Sequence, residues 1–431
     1  MKEKINTAIK KTSGKLSNLS ETLIGSEIVK LGADIKEKIK SGEAIYNFTI
    51  GDFDSSIFPI PEKLEEEIVN AYRDGFTTYP PADGILSLRE SVSSFIKERE
   101  GLDYNSKEIL IAAGGRPLIY ALYRALVDRD DKVIYSVPSW NNNHYVHFVD
   151  GQHEVIETTA ENNFMPSAED IQPHIEDAVL IALCSPLNPT GTVFKKEELQ
   201  KICDMVLKEN VRRGEDGKKL YVMYDQMYWT LTFGDTEHYN PVTLRPEMKE
   251  YTIFIDGISK VFAATGVRVG WALGPENVLA KMKAINSHIG AWSPMAEQHA
   301  TAKFLLQKNV IDKYLLHFKK ELEERLQLIY KGFQKLKSEG FTIDACVPQA
   351  AIYLTIQISL AGKKTTNGKM LDTQADVTSY ILNEAKLAVV PFYAFGASKN
   401  SDWYRLSVGT CKKEEIPEML KKLKTALCKL S

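Results

Sequence analysis

Between about residues 86 and 290, short apolar runs rich in β-branched residues alternate with helical patterns, which restricts this part of the chain to an α/β unit with a largely parallel sheet. The runs that read as strands are Glu108–Ala113, Lys132–Ser136, Val179–Cys184, Lys219–Tyr224, Thr252–Asp256 and Arg268–Leu273. Each is apolar almost continuously, as strands covered by helices on both faces should be. A long amphipathic helix is expected next, because Ile311, Tyr314, Leu315, Phe318, Leu322, Leu326, Ile329, Phe333 and Leu336 recur three or four apart. Beyond it the pattern changes: strands at Ile352–Ile358, Leu387–Val390 and Trp403–Val408 surround a helix near Thr373–Ala385. A last helix carries Pro417 in its first turn. The expected division is an arm and part of a small domain over 1–60, a large domain over 61–305, and a smaller α+β domain over 306–431. Lys363–Lys369, with two Thr and an Asn-Gly, is the expected loose loop.

Composition excludes several function classes. Hydrophobic residues make up 44% and charged residues 26% of the chain, as in ordinary globular proteins, and the net charge of −3 leaves no basic footprint for nucleic acid. The five cysteines form no CxxC pair and no metal-like cluster with the eight histidines, so no metal site is expected and a reducing, cytoplasmic compartment is. Apolar stretches such as Val179–Cys184 are far too short to cross a bilayer, and the lysine-rich start lacks an apolar signal core.

Ligands of open α/β sheets bind beyond the carboxyl ends of the strands. The unusual residues of this chain cluster there: Gly114-Gly115-Arg116 after one strand, Ser139-Trp140 after another, Ser185–Gly191 with Asn188 after a third, Asp225 and Tyr228 after the next, and Ser259-Lys260 after the one that follows. Each has a plain reading beside the functional one. The Gly pair could be a tight turn, or could let backbone N–H groups and a helix N-terminus approach a phosphate. Trp140 could fill core or stack on a flat heteroaromatic ring. Asn188-Pro-Thr-Gly191 could be only a turn, and Asp225 only a helix cap. Tyr228 would share its face of a helical turn. A lysine is ordinarily a solvated surface residue. Lys260, however, sits in the apolar, glycine-punctuated segment Ile258–Trp271, where desolvation would lower its proton affinity and favour a nucleophilic amine. Arg268 could be a surface ion-pair residue, or could grip a phosphate or carboxylate with its fork.

Taken together, these residues resemble the class I, aspartate aminotransferase-like family of pyridoxal-phosphate enzymes with the fold-type-I architecture. The resemblance runs from about Leu19 to the end. It rests on Ser185–Gly191, on Asp225 with Tyr228, and on Ser-Lys-Val-Phe-Ala-Ala-Thr-Gly-Val-Arg-Val-Gly at 259–270, with weaker support from Gly51-Asp-Phe-Asp54, Tyr79–Gly84 and Arg405-Leu-Ser407. It implies a large domain with a mostly parallel seven-stranded sheet between helices, a smaller α+β domain, and pyridoxal 5'-phosphate as cofactor. Lys260 would hold that cofactor as a Schiff base and shuttle the substrate's proton. Asp225 would pair with the pyridine nitrogen, Tyr228 and Asn188 with the phenolic oxygen, and Trp140 would stack on the ring. Gly114, Gly115, Arg116, Ser259 and Arg268 would hold the phosphate, and Tyr79 would reach the phosphate of a neighbouring subunit, which implies a homodimer with shared sites. Arg405 would bind the substrate α-carboxylate, with Gly51, Asn188, Trp140 and Arg116 completing the substrate site.

Three places depart from the family pattern: Gly257-Ile258 before the Ser-Lys pair, the polar run Asn141–Tyr145, and Trp292 before Ser293-Pro294. Each could reshape the pocket. Arg116 stands where a related subgroup has a lysine that recognises the distal carboxylate of aspartate, which favours a dicarboxylic amino donor and an acceptor such as 2-oxoglutarate. Arg116 could equally supplement the phosphate site, and Trp292, Trp229 and the Asn run would equally permit an aromatic substrate. The rival functions are another pyridoxal-phosphate reaction such as elimination, and a non-catalytic regulatory module. The latter is disfavoured because only about 20 residues precede the arm, too few for a helix-turn-helix. A nucleotide-binding protein is disfavoured by the lack of a G-x-G-x-x-G or P-loop.

Overall fold

The computed structural model describes residues 16–23, 25 and 27–431, with the side chains of 27–30 outside the description. The first fifteen residues of the expected arm therefore lie outside the described residues.

Seven strands form the main sheet: β2 (Ile109–Ala112), β3 (Lys132–Val137), β4 (Gln152–Glu157), β5 (Ala178–Cys184), β6 (Tyr221–Asp225), β7 (Thr252–Gly257) and β8 (Gly270–Leu273), in the spatial order β2-β8-β7-β6-β5-β3-β4. Neighbouring pairs from β7 through β4 are parallel, whereas β8 is antiparallel to both β7 and β2. The continuous apolar runs are explained by burial on both faces. On one face lie the helices Leu86–Glu100, Lys196–Arg213 and Met295–Leu305, packed through Val92, Phe95, Leu199, Val206, Ala300 and Phe304. On the other lie Gly115–Leu126 and Glu276–Ile289, packed through Leu118, Leu122, Val278 and Met282.

Sequence reasoning missed β4. Its residues, Gln-His-Glu-Val-Ile-Glu, lie at the sheet edge with Ile156 the only one buried, so no apolar run announces it. It also placed Arg268 and Val269 in β8. The strand begins instead at Gly270, and Arg268 sits before it with a left-handed φ of 64°.

A second sheet, in the order β12 (Val390–Pro391), β13 (Trp403–Ser407), β10 (Tyr353–Ile358), β9 (Ile343–Ala345), packs against the helix Lys308–Ser338 and the final helix Ile416–Leu427. The expected strand Leu387–Val390 is split. β11 (Leu387–Ala388) pairs in parallel with β1 (Tyr46–Asn47), and Val390 joins the antiparallel sheet. The expected helix near Thr373–Ala385 runs as an α-helix over Gln374–Tyr380 and ends in a π-helical turn, Ile381–Ala385.

The Lys363–Lys369 segment is not a loose loop. Thr365 and Lys369 close a turn at 2.9 Å, and Lys364 N donates to Ser431 O at 3.0 Å, so the segment is pinned to the chain terminus.

Candidate active site

The carboxyl edge of the main sheet opens into a cavity of about 900 Å³. Sheet direction explains what gathers there. Parallel strands β3, β5, β6 and β7 deliver Trp140, Asn188, Asp225 and Lys260 from their ends. β8 runs the other way, so its start brings Arg268 to the same edge. Of the residues singled out from the sequence, Gly51, Gly115, Arg116, Trp140, Asn188, Asp225, Tyr228, Ser259, Lys260, Arg268 and Arg405 line this cavity. Gly114 lies just behind it, against the Arg268 guanidinium. Tyr79 does not line it. Its ring is 85% exposed and meets Trp292 edge-on at 5.4 Å.

Three buried ionisable groups here have no partner of opposite charge in an ion pair among the described residues. The Lys260 amine is pushed down to about 8 by burial. Asp52 opposes that push, and the guanidiniums of Arg405, Arg116 and Arg268 add to it. Its Nζ donates to the Gly51 carbonyl at 2.6 Å. Burial lifts the Asp225 carboxyl to about 6, against the pull of the Met227 N–H, which donates to Oδ1 at 3.1 Å. Arg405 is 1% exposed. It donates from Nη1 to Asn188 Oδ1 at 3.1 Å and from Nη2 to the Thr49 carbonyl at 2.7 Å, while its Nε has no partner. Burying unpaired ions is expensive, and proteins retain such groups where a ligand completes them.

Apart from the Asp52 carboxyl, the rest of the lining is neutral or cationic. The Tyr228 and Tyr353 hydroxyls share a hydrogen bond of 2.6 Å, and burial holds both phenols neutral. The Arg116 guanidinium lies 5.4 Å from the Trp140 ring centroid, and that of Arg405 lies 6.0 Å from it. Arg268 donates to the carbonyls of Thr265 (2.6 Å) and Ala113 (2.7 Å), which hold it in its left-handed conformation.

Gly114 has φ 88° and precedes the helix Gly115–Leu126. A Cβ there would stand 2.4 Å from Arg268 Nη2, so only glycine lets the turn close against that guanidinium. The glycine at 257, a departure from the family pattern, is dictated by packing: a Cβ would meet Gly270 Cα at 2.7 Å.

These features fit pyridoxal phosphate. A helix N-terminus with Ser259 and Arg268 suits a phosphate, a buried carboxyl without a cation suits a protonated ring nitrogen, and a neutralisable lysine suits an aldehyde.

Several alternatives that the sequence leaves open are not realised. Asp225 does not cap a helix, since a non-helical turn follows it. Trp229 and the Asn run do not shape the cavity. The Trp229 indole donates to Asp256 at 2.9 Å inside the core, and Asn142 packs between Ser139 and Tyr123. Trp292 is likewise absent from the lining. Sequence reasoning missed Tyr353, Asp52 and Thr265. Tyr353 opens an apolar strand and carries no sequence signal. Asp52 and Thr265 lay within quoted motifs, Gly51–Asp54 and 259–270, without being singled out.

Comparisons with known proteins agree with this geometry. The sequence model described as aminotransferase class I and II matches residues 43–423. A probable aspartate/prephenate aminotransferase of Rickettsia felis is 30% identical over 410 residues, covering 94% of this chain and 93% of that protein. The crystal structure of the aspartate aminotransferase from Rhizobium meliloti superposes with a TM-score of 0.88 at 26% identity, covering 97% of this chain and all of that one. The Thermus thermophilus aspartate aminotransferase with maleate gives 0.85 at 26% identity over 96% of this chain and all of its own. By sequence and by fold over nearly its whole length, this chain belongs to the class I and II aminotransferases.

Proposed function

We propose that the protein binds pyridoxal 5'-phosphate at Lys260 and transfers the amino group of a dicarboxylic amino acid, aspartate or a close relative, to a 2-oxo acid such as 2-oxoglutarate. The observation that carries this reading is the convergence of buried Lys260, Asp225 and Arg405 on one cavity. When bound, the cofactor supplies an aldehyde that condenses with amines and a ring that accepts the electron pair left at the substrate Cα.

The protein's own residues do the rest. With the cofactor bound, Lys260 Nζ would tether it, then take the proton from the substrate Cα and return it. An amine near 8 is suited to both steps close to neutral pH. Asp225 would keep a proton on the ring nitrogen of the bound cofactor, and that charge would in turn stabilise the carboxylate. Tyr228 and Asn188 would face the phenolic oxygen, Trp140 would cover the ring, and Gly114, Ser259, Arg268 and the backbone of Gly115 and Arg116 would hold the phosphate, leaving the Arg116 guanidinium for the substrate. Arg405 fixes the α-carboxylate, with Gly51 beside it, and so orients the Cα–H bond.

The dicarboxylate preference rests on Arg116, whose guanidinium lines the cavity beside Trp140 without an ion-pair partner among the described residues. The activities named for the relatives, aspartate and aspartate/prephenate aminotransferase, and the maleate present with the Thermus thermophilus enzyme support it. Replacing Arg116 by Ala is expected to raise KM for aspartate and 2-oxoglutarate roughly tenfold to a hundredfold, the effect of about 1.5–3 kcal/mol from a lost charged hydrogen bond. KM for alanine or phenylalanine should stay within threefold. Steady-state kinetics across such a panel decides it, and an equal loss for all donors assigns Arg116 to the phosphate instead.

A homodimer is part of the proposal. Tyr79 stands exposed, as do Val69, Tyr72, Leu86, Ile289 and Leu306, and exposed apolar side chains of this kind suit contact with a second copy. The separate sheets support the division into 61–305 and 306–431, with Tyr46–Asn47 pairing into the small domain. The free cysteines support a reducing, cytoplasmic setting. Among the described residues no helix is long and apolar enough to cross a membrane.

A further inference from the structure

The strap from Asn47 to Asp54 touches both halves of the site. On one side the Arg405 guanidinium donates to Thr49 O at 2.7 Å, Ser407 N donates to Phe48 O at 2.9 Å, and Asp54 N donates to Gly409 O at 3.0 Å. On the other, Gly51 O accepts from Lys260 Nζ at 2.6 Å. The next residue, Asp52, accepts at Oδ1 from the Thr265 hydroxyl (2.7 Å) and from Phe53 N (2.9 Å). Thr265 belongs to the turn whose carbonyl holds Arg268. Thus the Thr265–Asp52 hydrogen bond fastens the strap to the turn that carries Arg268.

We propose that Asp52 is a positioning residue for Lys260: latched by Thr265, it holds the Gly51 carbonyl on the lysine amine and supplies the negative charge that keeps a proton there.

The surrounding charges make that role specific. Lys260 is faced by Arg116 from the helix Gly115–Leu126, by Arg268 from the turn before β8, and by Arg405 from β13, all of which disfavour its ammonium form. Tyr228 and Tyr353 are neutral. Asp225 is the other carboxyl of the lining, and its partner in the proposed function is the ring nitrogen. Asp52 is left as the acid that offsets the three guanidiniums at Lys260. The same strap carries the Thr49 carbonyl that binds Arg405, so an α-carboxylate arriving at Arg405 and the amine at Lys260 share one mechanical element. The catalytic meaning of the contact rests on the function proposed above; the contact itself does not.

The test is made on protein freed of cofactor. Labelling of Lys260 by an amine-reactive sulfonate is followed against pH by mass spectrometry, with exposed Lys281 as internal standard. Asp52→Asn should lower the labelling midpoint by about one pH unit, the loss of one nearby opposite charge. Thr265→Val should lower it less far, and Thr265→Ser should restore it, while Lys281 stays unchanged in all three. Thr265→Val keeps the test open if Asp52→Asn fails to fold. An unmoved midpoint in either folded variant overturns the proposal. Should the wild-type protein bind no pyridoxal phosphate, the function falls, and the midpoints still decide whether Asp52 pairs with Lys260.

Discussion

Lys260→Ala is expected to lower kcat for aspartate by roughly 10⁴-fold, the upper range for loss of a positioned general base. Cofactor should still bind, because the phosphate cradle at Gly114, Gly115, Ser259 and Arg268, the Trp140 ring and the Asp225 carboxyl are untouched. Borohydride should fix cofactor covalently to Lys260 in the wild type and leave the variant unlabelled. Little structural cost is expected. The amine's hydrogen bond goes to a backbone carbonyl, Gly51 O, on the rim of a cavity large enough to hydrate it. Turnover within tenfold of wild type would remove Lys260 from the mechanism.

The second large effect concerns Arg405, and here activity and stability should part company. The guanidinium is buried without an acid, and burial disfavours its charged form. Such a cation costs folding free energy unless a ligand neutralises it. Arg405→Met should therefore leave the melting temperature of the protein unchanged or higher. Meanwhile kcat/KM should fall by about 10²–10³ for every amino acid, since truncating a buried charge partner costs roughly 2–5 kcal/mol. Arg405→Lys should recover only part of this, because an ammonium cannot reproduce the two-pronged contact. Parallel thermal melts and kinetics separate the outcomes. A drop in melting temperature with kcat/KM unchanged would make Arg405 a structural residue, tying β13 to Thr49 and Asn188.

Much of the site was legible because the sheet's buried strands announce themselves and ligands gather at their carboxyl ends. Trp140, Asn188, Asp225 and Lys260 each follow such a strand, and the structure places all four around one cavity. What stayed hidden had a physical reason in each case. β4 is an exposed edge whose polar residues make no apolar run. The reversal of β8 cannot be read from its composition, and that reversal is why Arg268 reaches the site from in front of its strand. Tyr353 and Arg405 both lie in the antiparallel sheet. Only Arg405 is charged enough to draw notice in an apolar strand, whereas a tyrosine there reads as core. Trp229 misled for the converse reason. A tryptophan near a site motif invites a pocket role, but its indole N–H found a partner in buried Asp256. Asp256 itself is raised to about 8 by burial, so it is neutral or nearly so at physiological pH.

The measurement that bears most directly on the central claim is the visible absorption of the purified protein, reconstituted with pyridoxal phosphate and titrated with aspartate and then 2-oxoglutarate. The account predicts a visible band that depends on Lys260, bleaches on adding aspartate and returns on adding the oxo acid. No visible band after reconstitution, or a band indifferent to every amino acid offered, would contradict it.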